Sequence, residues 1–194
     1  MSLLSYNELC SLIDRGVLQN AQYDHVNSAS IDLVLGPNIM VERPITAWRT
    51  DQDGNDVPVI KVIDMLDKTA PHLERRTMDE HGYIVPPGGV VLAETVEIFH
   101  LPNDVSGEYK LKSTMARNFF NHLNAGWADA GWHGSVLTLE FKNELQNHAI
   151  RIKPGQKCGQ MVFFQHSEVP ADRSYAARGQ YNGDTTVTAG KGLK

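Results

Sequence analysis

The chain has 194 residues, 41% hydrophobic and 21% charged, with a formal net charge of -5 and a pI near 5.9. That length suits one domain with a sizeable core, and the acidic balance argues against a broad basic face for polymeric nucleic acid while leaving small phosphorylated ligands open. No apolar run approaches the roughly 18 residues that cross a bilayer and the polar start Met1 to Tyr6 has no signal-peptide core, so a cytoplasmic location with no membrane partner is expected.

Ser5 followed by Glu8 forms a capping box, and Leu9, Leu12 and Ile13 recur at helical spacing until Gly16, a suitable C′ residue. One short amphipathic helix therefore opens the chain. Cys10 and Cys158 are the only cysteines, too few for a disulfide framework and without structural-zinc spacing, and both read as buried apolar filler. Ser30 to Gly36 alternates at period two, predicting a half-buried strand that stops at Gly36-Pro37, with Asp32 facing away from Ile31 and Leu33. Thr50 to Asp56 reads as a loop or hairpin tip. From Gly82 onward short strands alternate with turns: Tyr83–Val85, Val90–Thr95, Val105–Leu111, Leu137–Phe141, Ala149–Ile152 and Gly159–Phe164. The architecture is mainly β. From Ala171 the composition turns to Gly, Ala, Thr and Asn, a tail that is either disordered or ordered only where it closes over something.

The site chemistry concentrates between Lys112 and Glu140. Lys112, Ser113, Thr114 and Arg117 follow a strand and open a predicted helical turn, where hydroxyls, free N–H groups and two cations suit phosphate. The plain alternative is an N-cap Ser113 and a surface Arg117. Asp129 sits in a Gly- and Trp-rich turn that lets backbone approach a ligand, or else it stabilises that turn by an Asx-type bond. Glu140 shares a strand face with Thr138: solvated, it is an ordinary carboxylate; lining a cleft, its partial desolvation suits a general base. The eight histidines form no HxH or HExxH, and no HxE is paired with PCxxC, so zinc deaminase or hydrolase chemistry is not expected. There is no Walker A motif, and no GxGxxG follows a strand.

Three segments in order, Lys112-Ser113-Thr114-Met115-Ala116-Arg117, Asn124 to Gly134 and Thr138-Leu139-Glu140, resemble the K/R-S-S-L-A/G-R, T-A-G-W-I-D-x-G-F/W-x-G and T-L-E motifs of the dCTP deaminase family. That family is a branch of the trimeric dUTPase fold and includes bifunctional dCTP deaminase/dUTPases. Ala29 to Gly36 is similar to its A-S-x-D-L-x-L-G strand, Gly159-Gln160 to its late G-Q pair, and Tyr175 to the tyrosine opening its C-terminal lid.

The resemblance implies one domain over residues 1–194, a dUTPase-like β-clip or distorted β-barrel with a short N-terminal helix and a lid from about residue 171, forming a homotrimer with sites between subunits. It implies zinc-independent deamination of a deoxycytidine nucleotide, dCTP first, to dUTP and ammonia; Gly126-Trp127 resembles bifunctional members that continue to dUMP and pyrophosphate. In that scheme Glu140 shuttles protons, Ser113 and the Ala125 carbonyl position the water, and Arg117 stabilises developing charge. Lys112, Thr114, Gln160 and Tyr175 hold phosphates with bridging magnesium, Met115, Ala116, Thr138 and Leu139 complete the substrate-contacting motifs, Trp132 packs on the deoxyribose, and Asp129 contacts the sugar and helps phosphate cleavage. Two departures stand out. Asn124 replaces a Thr, and the lid's K-Y-Q-G-Q reads Gln180-Tyr181-Asn182-Gly183-Asp184, so two phosphate-contacting residues become neutral and acidic. Asp184 would repel a triphosphate unless magnesium intervened, with Arg178 or Lys191 as candidate compensating cations. A dUTPase or other deoxynucleotide pyrophosphatase without deamination, and a silent nucleotide-binding regulator, are the competing readings; intact Ser113, Ala125, Arg117 and Glu140 speak against the first.

Overall fold

The computed structural model describes residues 1–193. After β1 (Ser2–Leu3), Ser5 donates both its N–H and its hydroxyl to the Glu8 carboxylate, at 2.8 and 2.9 Å, fastening the first turn of α1 (Tyr6–Asp14). Leu9 and Leu12 are wholly buried, and Gly16 at φ 69° takes the left-handed turn after the helix.

The rest is mainly strand: β2 (Leu18–Gln19), β3 (Ile31–Glu42), β4 (Trp48–Thr50), β5 (Asp56–Pro58), β6 (Leu73–Thr77), β7 (Tyr83–Val85), β8 (Val90–His100) and β9 (Val105–Leu111). The short α2 (Ser113–Arg117) leads to β10 (Phe120–His122), β11 (Trp127–Ala128), β12 (His133–Asn143), β13 (Ile150–Ile152), β14 (Lys157–Gln165) and the four-residue α3 (Tyr175–Arg178). All strand pairings are antiparallel. One curled sheet follows the order β10-β12-β8-β3-β14-β9-β11, with β2 on β8, β6 on β3 and β1 on β14; β13–β7 and β4–β5 are separate ribbons. Phe99, Phe120, Phe141 and Phe163 fill its interior with Ile31, Leu33, Leu35, Ile39 and Leu139, each side chain stabilising the fold by roughly 2 kcal/mol through burial. The mainly β architecture with a short N-terminal helix expected from the sequence is the observed one.

Two local expectations are corrected. β3 does not stop at Gly36-Pro37 but runs to Glu42, because a bulge absorbs the Gly-Pro step: Leu35 pairs with Thr95 and Ile39 with Ala93, leaving Gly36, Pro37 and Asn38 opposite the single residue Glu94. The strand is also buried on both faces, Asp32 being only 4% exposed, since two lysines cover its carboxylate. The tail takes the second of its two expected forms, ordered over a cavity with Val187 fully buried. Cys158 is buried as expected, whereas Cys10 is only partly so.

Gly159 shows why the Gly-Gln pair begins with glycine. A Cβ there would lie 2.0 Å from the Tyr109 ring, whose hydroxyl donates to the Cys158 carbonyl at 2.9 Å and ties β9 to β14.

Candidate active site

A cavity of about 480 Å3 opens between β12, the hairpin around β11, and the tail. Its walls are Ala125, Asp129 and Trp132 from the hairpin, Val136, Thr138 and Glu140 from β12, Leu92 from β8, and Tyr175, Tyr181, Asp184 and Thr188 to Gly190 from the tail. An apolar lining with a few convergent polar groups is what a small-molecule site requires.

Period-two alternation along β12 sends Leu139 and Phe141 into the core and turns Thr138 and Glu140 to the cavity. Glu140 is thus a cleft carboxylate rather than a solvated one, its side chain 26% exposed. Its Oε2 lies 3.2 Å from His122 Nε2, but neither atom has an aligned hydrogen-bond partner among the described residues. His122 Nδ1 accepts the Asn124 N–H at 3.2 Å, which assigns the ring proton of a neutral imidazole to Nε2, facing Glu140. Tyr109 packs 4.6 Å from the imidazole and Phe141 edge-on at 5.9 Å, locking its plane. The Oε2 atom is thus buried against the imidazole edge, while the side chain as a whole still lines the cavity.

The hairpin is braced by its indoles. Trp127 Nε1 donates to Asp129 Oδ1 at 2.8 Å, so the carboxylate is held by a ring rather than by an Asx turn. Trp132 stacks 5.0 Å from Phe99 and donates Nε1–H to the Tyr181 carbonyl at 2.8 Å, joining wall to tail. Tyr175 opens α3 behind the cap Ser174, whose hydroxyl accepts from Ala176 N, and burial pushes the Tyr175 phenol above its ordinary range. Asp184, the acidic departure in the lid, is paired with Lys191 at 2.7 and 2.8 Å; the ammonium also donates to the Gln180 carbonyl and sits 5.0 Å from the Tyr181 ring centre. Lys191, one of the two candidate compensating cations, pairs with Asp184.

The remaining predicted residues lie elsewhere. Asp32 Oδ1 accepts from Lys112 at 2.6 Å and Asn27 at 2.9 Å, and its Oδ2 faces Lys157 at 3.1 Å. Burial raises the Asp32 pKa, but the lysine and Asn27 bonds outweigh it and hold the carboxyl below its usual range. Gln160 pairs with Asp32 across the β14–β3 ladder and accepts from Ser30 at 3.4 Å. Lys112 is the N-cap of α2, so Ser113 is not; Ser113, Thr114, Ala116 and Arg117 are exposed, and Met115 leans on the core. None of these lines the cavity, nor do Leu139 and Gln180, the latter reaching the Gly192 carbonyl within the tail at 3.4 Å.

Sequence reasoning missed His122, Tyr181, Leu92, Val136 and the roof residues Thr188, Ala189 and Gly190. Only His122 carries a signal: it alternates with Phe120 on the inward face of a short strand, a pattern that ordinarily marks a core histidine.

The family model described as dCTP deaminase-like matches residues 3–166. Among curated relatives, one from Persephonella marina is 34% identical over 71% of this chain and 77% of its own length, and one from a Sulfurihydrogenibium species is 30% identical over 97% and 96%. Both are named dCTP deaminase, dUMP-forming. The solved 2′-deoxycytidine 5′-triphosphate deaminase from Agrobacterium tumefaciens superposes with a TM-score of 0.61 at 20% identity over 83% of this chain, which spans about half, 47%, of that longer one. Ordered motifs, a matching sheet and full-length relatives converge: the chain belongs to the dCTP deaminase-like family.

Proposed function

We propose that this protein hydrolytically deaminates dCTP and carries the product on to dUMP. The observation that supports it most is the Glu140 carboxylate, which lines a nucleotide-sized cavity and is backed by His122. The names of the curated relatives favour both the substrate and the final product.

In the proposed step Glu140 takes a proton from water as the hydroxyl oxygen bonds to C4 of cytosine, and delivers that proton to N3. The tetrahedral centre then collapses: the C4–N4 bond breaks, the hydroxyl proton passes through Glu140 to the departing nitrogen, and a C4 carbonyl, N3–H and ammonia remain. No zinc enters this scheme. The Ala125 carbonyl on the cavity wall suits the role of orienting the water, and Trp132 that of packing on the sugar. Asp129, held by Trp127, suits the role of assisting water in cleaving the α–β phosphate linkage of dUTP.

The charged residues lining the cavity are the carboxylates Asp129, Glu140 and Asp184, the last already paired with Lys191, so the lining itself brings a triphosphate no cation. The matching cations, Lys112 and Arg117, sit with Ser113, Thr114 and Gln160 off the cavity. We therefore propose that a second copy of the chain brings its cationic segment to this cavity, in a homotrimer. Among the described residues no three His, Cys, Asp or Glu side chains are grouped to hold a metal ion, so magnesium fits as a companion of the phosphates, where it would neutralise their charge.

Incubating the protein with dCTP, dCMP and dUTP plus magnesium, with chromatography and ammonia detection, tests the reading. dUMP, pyrophosphate and ammonia from dCTP are expected; accumulation of dUTP would remove the second step, and no ammonia from any substrate would overturn the proposal.

A further inference from the structure

Glu94 is a carboxylate 4% exposed in the middle of a sheet, and an acidic side chain so placed demands donors. It has four. Asn38 gives its N–H at 3.2 Å and its Nδ2 at 2.7 Å to Oε1, while the Thr186 hydroxyl and the Val187 N–H reach Oε2, each at 2.8 Å. The first two come from the β3 bulge, the last two from the tail.

The ladder geometry explains why donors are free there. The bulge at Gly36, Pro37 and Asn38 turns the Asn38 N–H out of its normal pairing toward Glu94, and a second register shift lies beside it, between Val136–Ile98 and Thr138–Glu94. Gly36 makes room, since a Cβ there would stand 2.6 Å from Glu94 Cγ. Arg75 on β6 completes the grip from the other side: Nη2 donates to the Val187 carbonyl at 2.8 Å and Nη1 to the Thr186 hydroxyl at 3.2 Å. Both backbone groups of Val187 are thus held by oppositely charged side chains, with its side chain fully buried. One residue on, Thr188 N–H donates to Thr138 Oγ1 at 3.4 Å, and Thr188, Ala189 and Gly190 form the cavity roof.

We infer that Glu94 and Arg75 are positioning residues that clasp the tail at Thr186-Val187 and so fix the roof of the substrate cavity, setting nucleotide affinity rather than the chemical step. The affinity part rests on the function proposed above; the clasp itself does not. Charge-assisted bonds to a main-chain N–H and C=O are the stronger kind, and they act on a segment with few apolar anchors besides Val187.

The test pairs two variants with two readouts. Glu94→Gln keeps the volume but turns an N–H toward Val187 N–H or Asn38, and Arg75→Ala alters an exposed side chain that leaves the core untouched. Hydrogen exchange over residues 186–190 of the nucleotide-free protein should rise about tenfold or more in both, with the β8 and β12 amides still protected. KM for dCTP should rise about tenfold with kcat nearly unchanged, and Arg75→Lys should recover part of the loss. Unaltered exchange in both variants would end the clasp; loosened exchange with unaltered KM, or a fall confined to kcat, would end its role in affinity. Absence of any wild-type turnover would defeat the functional reading, and the exchange result would still decide the clasp.

Discussion

Two regions of one chain carry opposite chemistry. The cavity between β12, the hairpin and the tail has aromatic and apolar walls whose charged side chains are carboxylates, whereas the segment around Asp32 gathers Lys112 and Lys157 about a single buried carboxylate, with Arg117 on the helical turn that follows. One acid facing two ammonium groups leaves that second region with unspent positive charge. Neither alone suits a nucleoside triphosphate, which needs an apolar slot for its base and cations for its phosphates. The lesson is that proximity in sequence is not proximity in a site: Arg117 and Glu140 lie 23 positions apart, yet only Glu140 faces the cavity.

The harshest test of the division removes Glu140. Glu140→Gln should lower ammonia release by about 10²–10⁴-fold while leaving nucleotide binding nearly intact, and a variant within a few-fold of wild type would take the base out of the cavity. Next, Arg117→Ala and Glu140→Gln chains, each inactive, should regain measurable deamination when co-expressed and purified as mixed oligomers through two different tags. A mixture as dead as its parents would mean that the two regions do not meet across copies. The gentlest test uses pH. Burial pushes Glu97 up to about 7, opposed by the Val34 N–H, so the fold favours its protonated form. The stability this gives is complete below the unfolded carboxyl value and fades as pH rises through about 7, at most about 3 kcal/mol. Asp32 runs the other way, its lowered value making a contribution that is lost only as pH falls through acid range. Thermal melts should therefore show wild type weaker at pH 8 than at pH 6 and Glu97→Gln nearly flat; a variant that parallels wild type would exclude Glu97 as the cause.

Much of this was legible beforehand where local chemistry decides the outcome. Ser5 and Glu8 fix the helix start, period two at Leu139 and Phe141 fixes which way Glu140 faces, and the Gly/Trp turn fixes the hairpin. Gly36-Pro37 misled because a breaker inside a strand can be absorbed as a bulge when the neighbouring strand supplies an acceptor, here Glu94, 58 positions away in the chain. The tail's few apolar residues left disorder and closure both open, because its order comes from Glu94, Arg75, Ser135 and Trp132, all far off in sequence. His122 stayed hidden because an inward-facing histidine reads as core until its distance to Glu140 is known.

The bond from the Trp132 indole to the Tyr181 carbonyl has a consequence for observing this molecule at work. Trp48 and Trp127 are more than half exposed, whereas Trp132 is 6% exposed, so its emission belongs to the blue side of the spectrum. Lifting of the tail would take the carbonyl partner from that indole and expose it to water, shifting its light to the red. The protein carries a native fluorophore at the seam between wall and roof, and stopped-flow fluorescence can time the opening of the cavity without any label.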